Sequence, residues 1–220
     1  MGTSERRQRH RASLRREILD AASRLFVEEG FQRVTMRRIA ERIEYSPTTI
    51  YLYFKDKNEL LASVCEETFA QLAGKLERLQ KTAGTPLSYL REGLRTYVEF
   101  GLAHPNQYIV TFMSLSSSVD GQEFETSIGS RAFDTLRRGV RACTESGDIQ
   151  TPNVEMTSQA LWAAVHGITS LLITQPGFPF AAKQVLVDHL IDSLLAGLKT
   201  AAVAQRSPVS AQSKKWDFFD

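Results

Sequence analysis

A chain of 220 residues with 42% hydrophobic content has enough apolar material for one large domain or two small ones. Its two cysteines, Cys65 and Cys143, make no disulfide framework, no signal-peptide pattern opens it, and no apolar run approaches the ~20 residues that cross a bilayer, so a cytoplasmic protein with no membrane insertion is expected. The net charge of +2 conceals a basic end, with 13 Lys and Arg against 8 Asp and Glu through position 57 and 14 against 17 beyond it; that layout suits a surface that neutralises phosphates, and equally a solvated charged face.

Residues 1–12 hold Arg6, Arg7, Arg9 and Arg11 with little apolar content. They are expected to be a disordered basic arm, which either follows phosphates and the minor groove or merely solubilises. From Ser13 onward Leu14, Ile18, Ala21, Ala22, Leu25 and Phe26 recur at helical spacing, and Gly30 with Phe31 makes a helix stop with an apolar clasp. Thr35 caps a short helix whose inward residues are Ile39, Ala40 and Ile43. After a turn, Ser46 caps the next helix, with Pro47 at its first position, where a missing N–H costs nothing. Ile50 and Phe54, four apart, share its inward face and leave Thr48, Thr49, Tyr51 and Tyr53 on the others. Asp56 with Glu59 then has the form of a capping box before Leu60, Leu61 and Val64.

The fourth helix is expected from Asp56 to about Lys81, broken by Gly84. Thr85-Pro86 opens another through Tyr97 and Val98 to Ala103, and His104-Pro105 separates off a short one with Tyr108, Phe112 and Leu115. Ser116 to Gly121 reads as a flexible loop, and Phe124 to Cys143 as a long amphipathic helix stopped by Gly147. Pro152 starts a helix carrying Leu161, Val165 and Leu172, which Pro176-Gly177 ends; Phe180 to about Val203 forms the last, and 206–220 is a loose tail. These last two helices hold more apolar surface than one neighbour covers, and Ala160, Ala164 and Gly167 permit close approach, so they are the expected dimer contact. With no strand-like alternation, the fold class is all-α, with about nine helices.

The head from about Ser13 to Lys57, and above all the string Ser46-Pro47-Thr48-Thr49-Ile50-Tyr51-x-Tyr53-Phe54-Lys55-Asp56-Lys57-x-Glu59-Leu60-Leu61, resembles the TetR (tetracycline-repressor-type) family of one-component bacterial transcription regulators. Trp162 to Gly167 also resembles the W-x3-H-G signature of one subgroup of its bodies. The resemblance implies a helix-turn-helix head at 13–57 and a ligand-binding and dimerisation body at 58–205. It further implies a homodimer through the last two body helices, a palindromic double-stranded DNA operator, and a small-molecule effector that relieves repression. Pro47, Thr48, Thr49 and Tyr51 would then meet base edges, while Thr35, Ser46, Tyr53 and Lys57 would hold phosphates; Tyr45 joins the DNA-facing set. One position departs from the pattern. Glu44 stands in the turn where relatives usually carry Gly, and it would have to adopt a conformation glycine takes more easily.

Phe100, Tyr108, Phe112, Phe133, Trp162 and His166, aromatic or amphipathic side chains between 86 and 172, are the candidate ligand contacts. Each also suits an ordinary core, and His166 a core histidine bonded to a carbonyl. Catalytic spacing is missing: His10, His104, His166 and His189 form no H-E-x-x-H, the cysteines no C-x-x-C, and neither G-x-S-x-G nor a Walker glycine loop occurs. No enzyme, metal or cofactor is expected. The alternatives are an architectural DNA binder without a ligand and a helical enzyme.

Overall fold

The structure is a computed structural model that describes residues 3–112 and 128–199. Its helices are α1 (Thr3–Glu29), α2 (Met36–Arg42), α3 (Pro47–Tyr51), α4 (Lys57–Thr82), α5 (Pro86–Ala103), α6 (Pro105–Phe112), α7 (Ile128–Glu145), α8 (Val154–Thr174) and α9 (Lys183–Lys199). Among the described residues there are nine helices and no strand, as the periodicity predicts. The loop at Ser116–Gly121, Leu115, Phe124, the expected end of the last helix near Val203, and the tail at 206–220 lie outside the described residues.

Two apolar clusters organise the chain. The first gathers Leu14, Ile18, Ala22, Leu25 and Phe26 of α1 with Ile39 and Ala40 of α2, Ile50 and Phe54, Leu60 and Val64 of α4, and Val110 of α6. The second holds Leu72 and Leu76 of α4 with Leu90, Leu94, Tyr97 and Val98 of α5, Val140 of α7, Leu161 and Val165 of α8, and Ile191 of α9. Helix α4 therefore belongs to both, its first half in one core and its second half in the other.

The first helix extends N-terminally of Ser13 into the segment expected as a basic arm. Helix α1 begins at Thr3, and residues 5–13 continue it as an exposed extension ahead of buried Leu14. No Gly or Pro interrupts residues 3–29, and Arg, Gln, Glu and Ala favour the helix once Leu14 to Phe26 have anchored it. Gly30 stops it at φ 82°, with its N–H on the Phe26 carbonyl and the Phe26 and Phe31 rings edge to face at 5.3 Å.

Caps are set locally and fall where side-chain chemistry puts them. Thr35, Ser46, Asp56 and Thr85 each accept a backbone N–H three residues on, at the starts of α2, α3, α4 and α5. The box at Asp56 is displaced by one residue, because the Glu59 carboxylate accepts the Lys55 N–H rather than that of Asp56. Helix α8 starts at Val154 because Asn153 caps it, two residues after the expected Pro152. Helix α9 starts at Lys183 rather than Phe180, since the Phe180 ring is held against Phe178 at 4.5 Å in the preceding turn.

Candidate functional site

Helix α2, its turn and α3 form a rigid presenting unit. The α2 C-terminus closes with the Tyr45 N–H on the Ala40 carbonyl at 3.0 Å and the Glu44 N–H on that of Glu41 at 3.3 Å, a Schellman arrangement that requires a left-handed residue at 44. Glu44 supplies it at φ 59°, a backbone shape that costs a non-glycine residue about 1 kcal/mol. Ser46 Oγ accepts the Thr49 N–H and also bonds Thr49 Oγ1 at 2.9 Å, so Thr49 is half-buried and partly committed to the cap. Ile50 and Phe54 are fully buried and fix α3 to the head core. The opposite side carries exposed Tyr45, Pro47, Thr48 and Tyr51, the last 55% exposed. Leu52, at the α3 C-cap, is 72% exposed beside them.

The two remaining expected phosphate residues already have work in the free chain. Tyr53 is half-buried with the Arg11 guanidinium 5.8 Å over its ring. Lys57 Nζ donates to the Phe31 carbonyl at 2.6 Å and the Gln32 carbonyl at 3.3 Å, and lies 4.3 Å over the Phe31 ring. It thereby clasps the turn between α1 and α2 to the start of α4. Arg42–Glu28 and Arg38–Glu29 pairs brace the same two helices from the surface, at 2.8 and 3.1 Å.

The body encloses a cavity of about 390 Å³ between α4, α5, α6, α7 and α8. Phe112, Phe133, Trp162 and His166 line it, as the sequence leads one to expect. Phe100 and Tyr108 do not. Phe100 is buried against His104, with ring centroids 4.8 Å apart, on a side of α5 that the cavity does not reach. Tyr108 is fully buried one layer behind the wall, hydrogen-bonded to His166 Nδ1. The walls also include Cys65, Phe69, Tyr89, Tyr97 and Thr111.

Behind one wall runs a chain of polar atoms. Trp162 Nε1 and Tyr97 Oη are 3.2 Å apart, Tyr97 Oη and Tyr108 Oη 3.2 Å, and Tyr108 Oη and His166 Nδ1 2.6 Å. An indole N–H only donates, so Tyr97 Oη accepts from Trp162; Tyr97 Oη also lies 3.2 Å from His166 Nδ1, and with Nδ1 as the acceptor both phenol protons find a partner within the cluster. A proton on Nδ1 would instead turn Tyr108 toward Tyr97 and leave the Tyr97 proton without an acceptor in this cluster. His166 is therefore a neutral ring with its proton on Nε2. Burial lowers its pKa, and burial pushes the Tyr97 hydroxyl up to about 12 and raises that of Tyr108 further, so the chain stays uncharged near neutrality.

A family model described as "Bacterial regulatory proteins, tetR family" matches residues 18–64, and one for the "Tetracyclin repressor-like, C-terminal domain" matches residues 90–194. The chain belongs to the TetR family. It is 33% identical over 90 residues to the HTH-type transcriptional repressor KstR of Mycolicibacterium smegmatis, covering 41% of this chain and 42% of that protein. It is 32% identical over 141 residues to the HTH-type transcriptional regulator AcrR of Shigella flexneri, covering 60% and 65%. The chain spans about half the length of the first curated relatives it matches. The fold is that of the regulator FadR from Bacillus subtilis, solved in complex with stearoyl-CoA, at a TM-score of 0.69 and 24% identity, over 84% of this chain and 97% of that one.

Within this TetR-family chain the W-x3-H spacing gains a physical reason. Trp162 and His166, one turn apart on α8, are the two ends of the Trp–Tyr–Tyr–His chain, and their rings sit 5.8 Å apart at the cavity wall. Tyr97 is the residue that reading α5 as plain core missed; a phenol on an otherwise apolar helix face, which needs a partner when buried, was the available signal.

Proposed function

We propose that this chain is a homodimeric DNA-binding transcriptional repressor, released from a palindromic operator when a small, mostly apolar molecule fills the body cavity. It is a regulator rather than an enzyme, acting in the cytoplasm, with the head at 13–57 and the body at 58–205. The observation that carries the reading is a buried-anchored α3 whose outer side offers Tyr45, Pro47, Thr48 and Tyr51, joined through shared cores to a ligand-sized cavity. Those side chains and Thr49 read base edges, with Leu52 beside them. Thr35 and Ser46 hold phosphates at helix starts, and Tyr53 holds one through its hydroxyl. Lys57 keeps one of its three N–H donors for a phosphate while its other bonds set the spacing of α2 and α4.

Dimerisation uses exposed faces of α8 and α9. Met156, Ala160, Ala163 and Leu171 share one exposed stripe of α8, with half-buried Gly167 in line, and Val185, His189 and Ser193 one of α9. A Cβ at Gly167 would meet nothing within 4 Å, so a second backbone has room to approach there. Four such helices packed across a two-fold axis place two α3 helices in successive major grooves, with half-sites about one helical turn apart or a multiple. Release follows from α6: a ligand pressing on Phe112 and Thr111 moves the helix that also carries Val110 into the head core. The ligand shifts the equilibrium by its differential affinity for the two head spacings.

Selection from randomised duplexes with the purified full chain tests the reading, with light scattering for oligomeric state. Enrichment of a palindrome by a dimer is expected. A strictly monomeric protein that enriches no duplex at low salt overturns it.

A further inference from the structure

Thr111 breaks a habit of this chain. Ser23, Thr68, Thr135, Thr144, Ser158 and Thr169 each donate their hydroxyl to the carbonyl four residues back, at 2.6–3.1 Å. That back-bond is the ordinary resting place of a helical hydroxyl. Thr111, also on a helix, does not make it: it is 8% exposed, lines the cavity, and its Oγ1 has no hydrogen-bond partner among the described residues. The Cys65 sulfur beside it is the one described neighbour toward which the Thr111 hydroxyl can turn, and a thiol sulfur is a weak acceptor that an oxygen entering the cavity would outcompete. A buried hydroxyl left this way carries a desolvation cost that something entering the cavity would recover. On the facing helix, His166 has its Nδ1 occupied by Tyr108, so Nε2–H is the atom it has left for the cavity it lines.

We propose that His166 Nε2–H and the Thr111 hydroxyl form a polar anchor that selects an uncharged, mostly apolar ligand bearing a carbonyl-type oxygen, such as a ketone, ester, lactone or amide. This rests on the cavity being the effector site. Among the described residues no Asp, Glu, Lys or Arg lines the cavity, so a carboxylate or ammonium group inside it meets no counter-charge from them. A pure hydrocarbon would leave both donors unsatisfied. A cavity of about 390 Å³ lies at the small end of the range of small-molecule sites, the size class of a single chain or a two-ring molecule.

The test is a binding titration read by Trp162 fluorescence in full-length chain with the other tryptophan removed (Trp216→Phe). Three probes of equal chain length are compared: methyl nonyl ketone, undecane and undecanoate. The ketone is expected to bind about tenfold tighter than undecane, and undecanoate weakest. Thr111→Val, which keeps shape and loses the hydroxyl, and His166→Phe should each erase most of the ketone's advantage while leaving undecane binding unchanged or tighter. Should His166→Phe fail to fold, Thr111→Val alone decides. If undecane binds as well as the ketone, or undecanoate binds best, the anchor is wrong and the cavity as a ligand site survives. If no probe binds the unmodified pocket, the cavity reading and the anchor both fall.

Discussion

Gln107 Nε2 donates to Asp20 Oδ1 at 2.8 Å, a bond that spans 87 positions of sequence and joins α6 of the body to α1 of the head. Three residues further along α6, Val110 is buried in the head core, and Thr111 and Phe112 face the cavity. One short helix thus borders the cavity with one side and the head core with the other. A double-mutant cycle of Gln107→Ala and Asp20→Ala should give a coupling of about 1 kcal/mol in urea melts, a modest value because both groups are partly exposed. Gln107→Leu, which keeps the bulk, should leave operator affinity without ligand near normal and shrink the loss of affinity that ligand causes. A full ligand response in that variant would move the coupling elsewhere, α4 being the other element shared by both cores.

Glu44 is the single described non-glycine residue with positive φ, at 59°. The Schellman bonds around it are intact, so the turn is built correctly from a residue that resists it. Glu44→Gly should raise stability by about 0.5–1 kcal/mol, the relief of the left-handed backbone being partly offset by a looser unfolded chain. Glu44→Val should lower it by at least as much, since branching at Cβ is worst tolerated there. Glu44→Gln is the charge control and should change nothing in stability. A Gly variant no more stable than Gln would show that the turn stores no strain.

Two glycines of α5 should respond oppositely to alanine. A Cβ at Gly101 would lie 2.4 Å from Thr169 Cγ2 and 2.9 Å from Tyr108 Cδ2, where α5, α6 and α8 meet. Gly101→Ala should therefore cost about 2 kcal/mol of overpacking, a fall in Tm of roughly 6 °C. A Cβ at Gly93 would find Leu76 Cδ2 at 3.8 Å, an ordinary contact. Gly93→Ala should gain up to about 1 kcal/mol of helix propensity. Equal effects in thermal melts would mean the helices shift to absorb the clash.

What the sequence could reveal divides along the range of the interactions. Thr35, Ser46, Asp56 and Thr85 cap where expected because a cap is settled within four residues, and the stops at Gly30 and Gly147 are equally local. Ile50 and Phe54 are inward because a helix offers only one face to its neighbours. Phe100, Tyr108 and Tyr97 show where periodicity ends: all three lie on inward faces, and only the tertiary arrangement decides which face a cavity and which a solid core. Tyr97 borders the cavity, Tyr108 lies one layer behind, and Phe100 faces away. The Lys57 ammonium was likewise legible as a charge near DNA, but its capture by two carbonyls 25 and 26 residues upstream was not.

The neutral state of His166 sets a pH dependence. Burial lowers its pKa in the folded chain below the unfolded value of about 6.5, so between the two values the unfolded chain binds more protons. Stability rises with pH across that window. The contribution is fully present above about pH 6.5 and is lost as pH falls through the lowered folded value. Replacing His166 with Gln, which can still accept the Tyr108 hydroxyl, should flatten the acid side of a stability-against-pH curve by one proton's worth of slope. Wild type and variant with parallel curves between pH 5 and 7 would mean His166 is protonated without penalty and the Tyr108 bond runs the other way.

Lys57 separates a structural role from a DNA-contacting one. Its ammonium satisfies the Phe31 and Gln32 carbonyls and sits over the Phe31 ring, tying the α1–α2 turn to α4. Lys57→Ala should therefore cost about 1 kcal/mol of stability with no DNA present, a figure kept low because the site is partly exposed to water. A phosphate contact adds a second effect: affinity for every duplex should fall alike, and the slope of log affinity against log salt should drop by about 1. Lys57→Arg keeps the charge but cannot reproduce a compact ammonium on two carbonyls, so it should restore the salt slope and leave the stability loss. A Lys57→Ala chain of unchanged stability and reduced salt slope would assign the residue to DNA alone; lost stability with an unchanged slope would assign it to the turn alone.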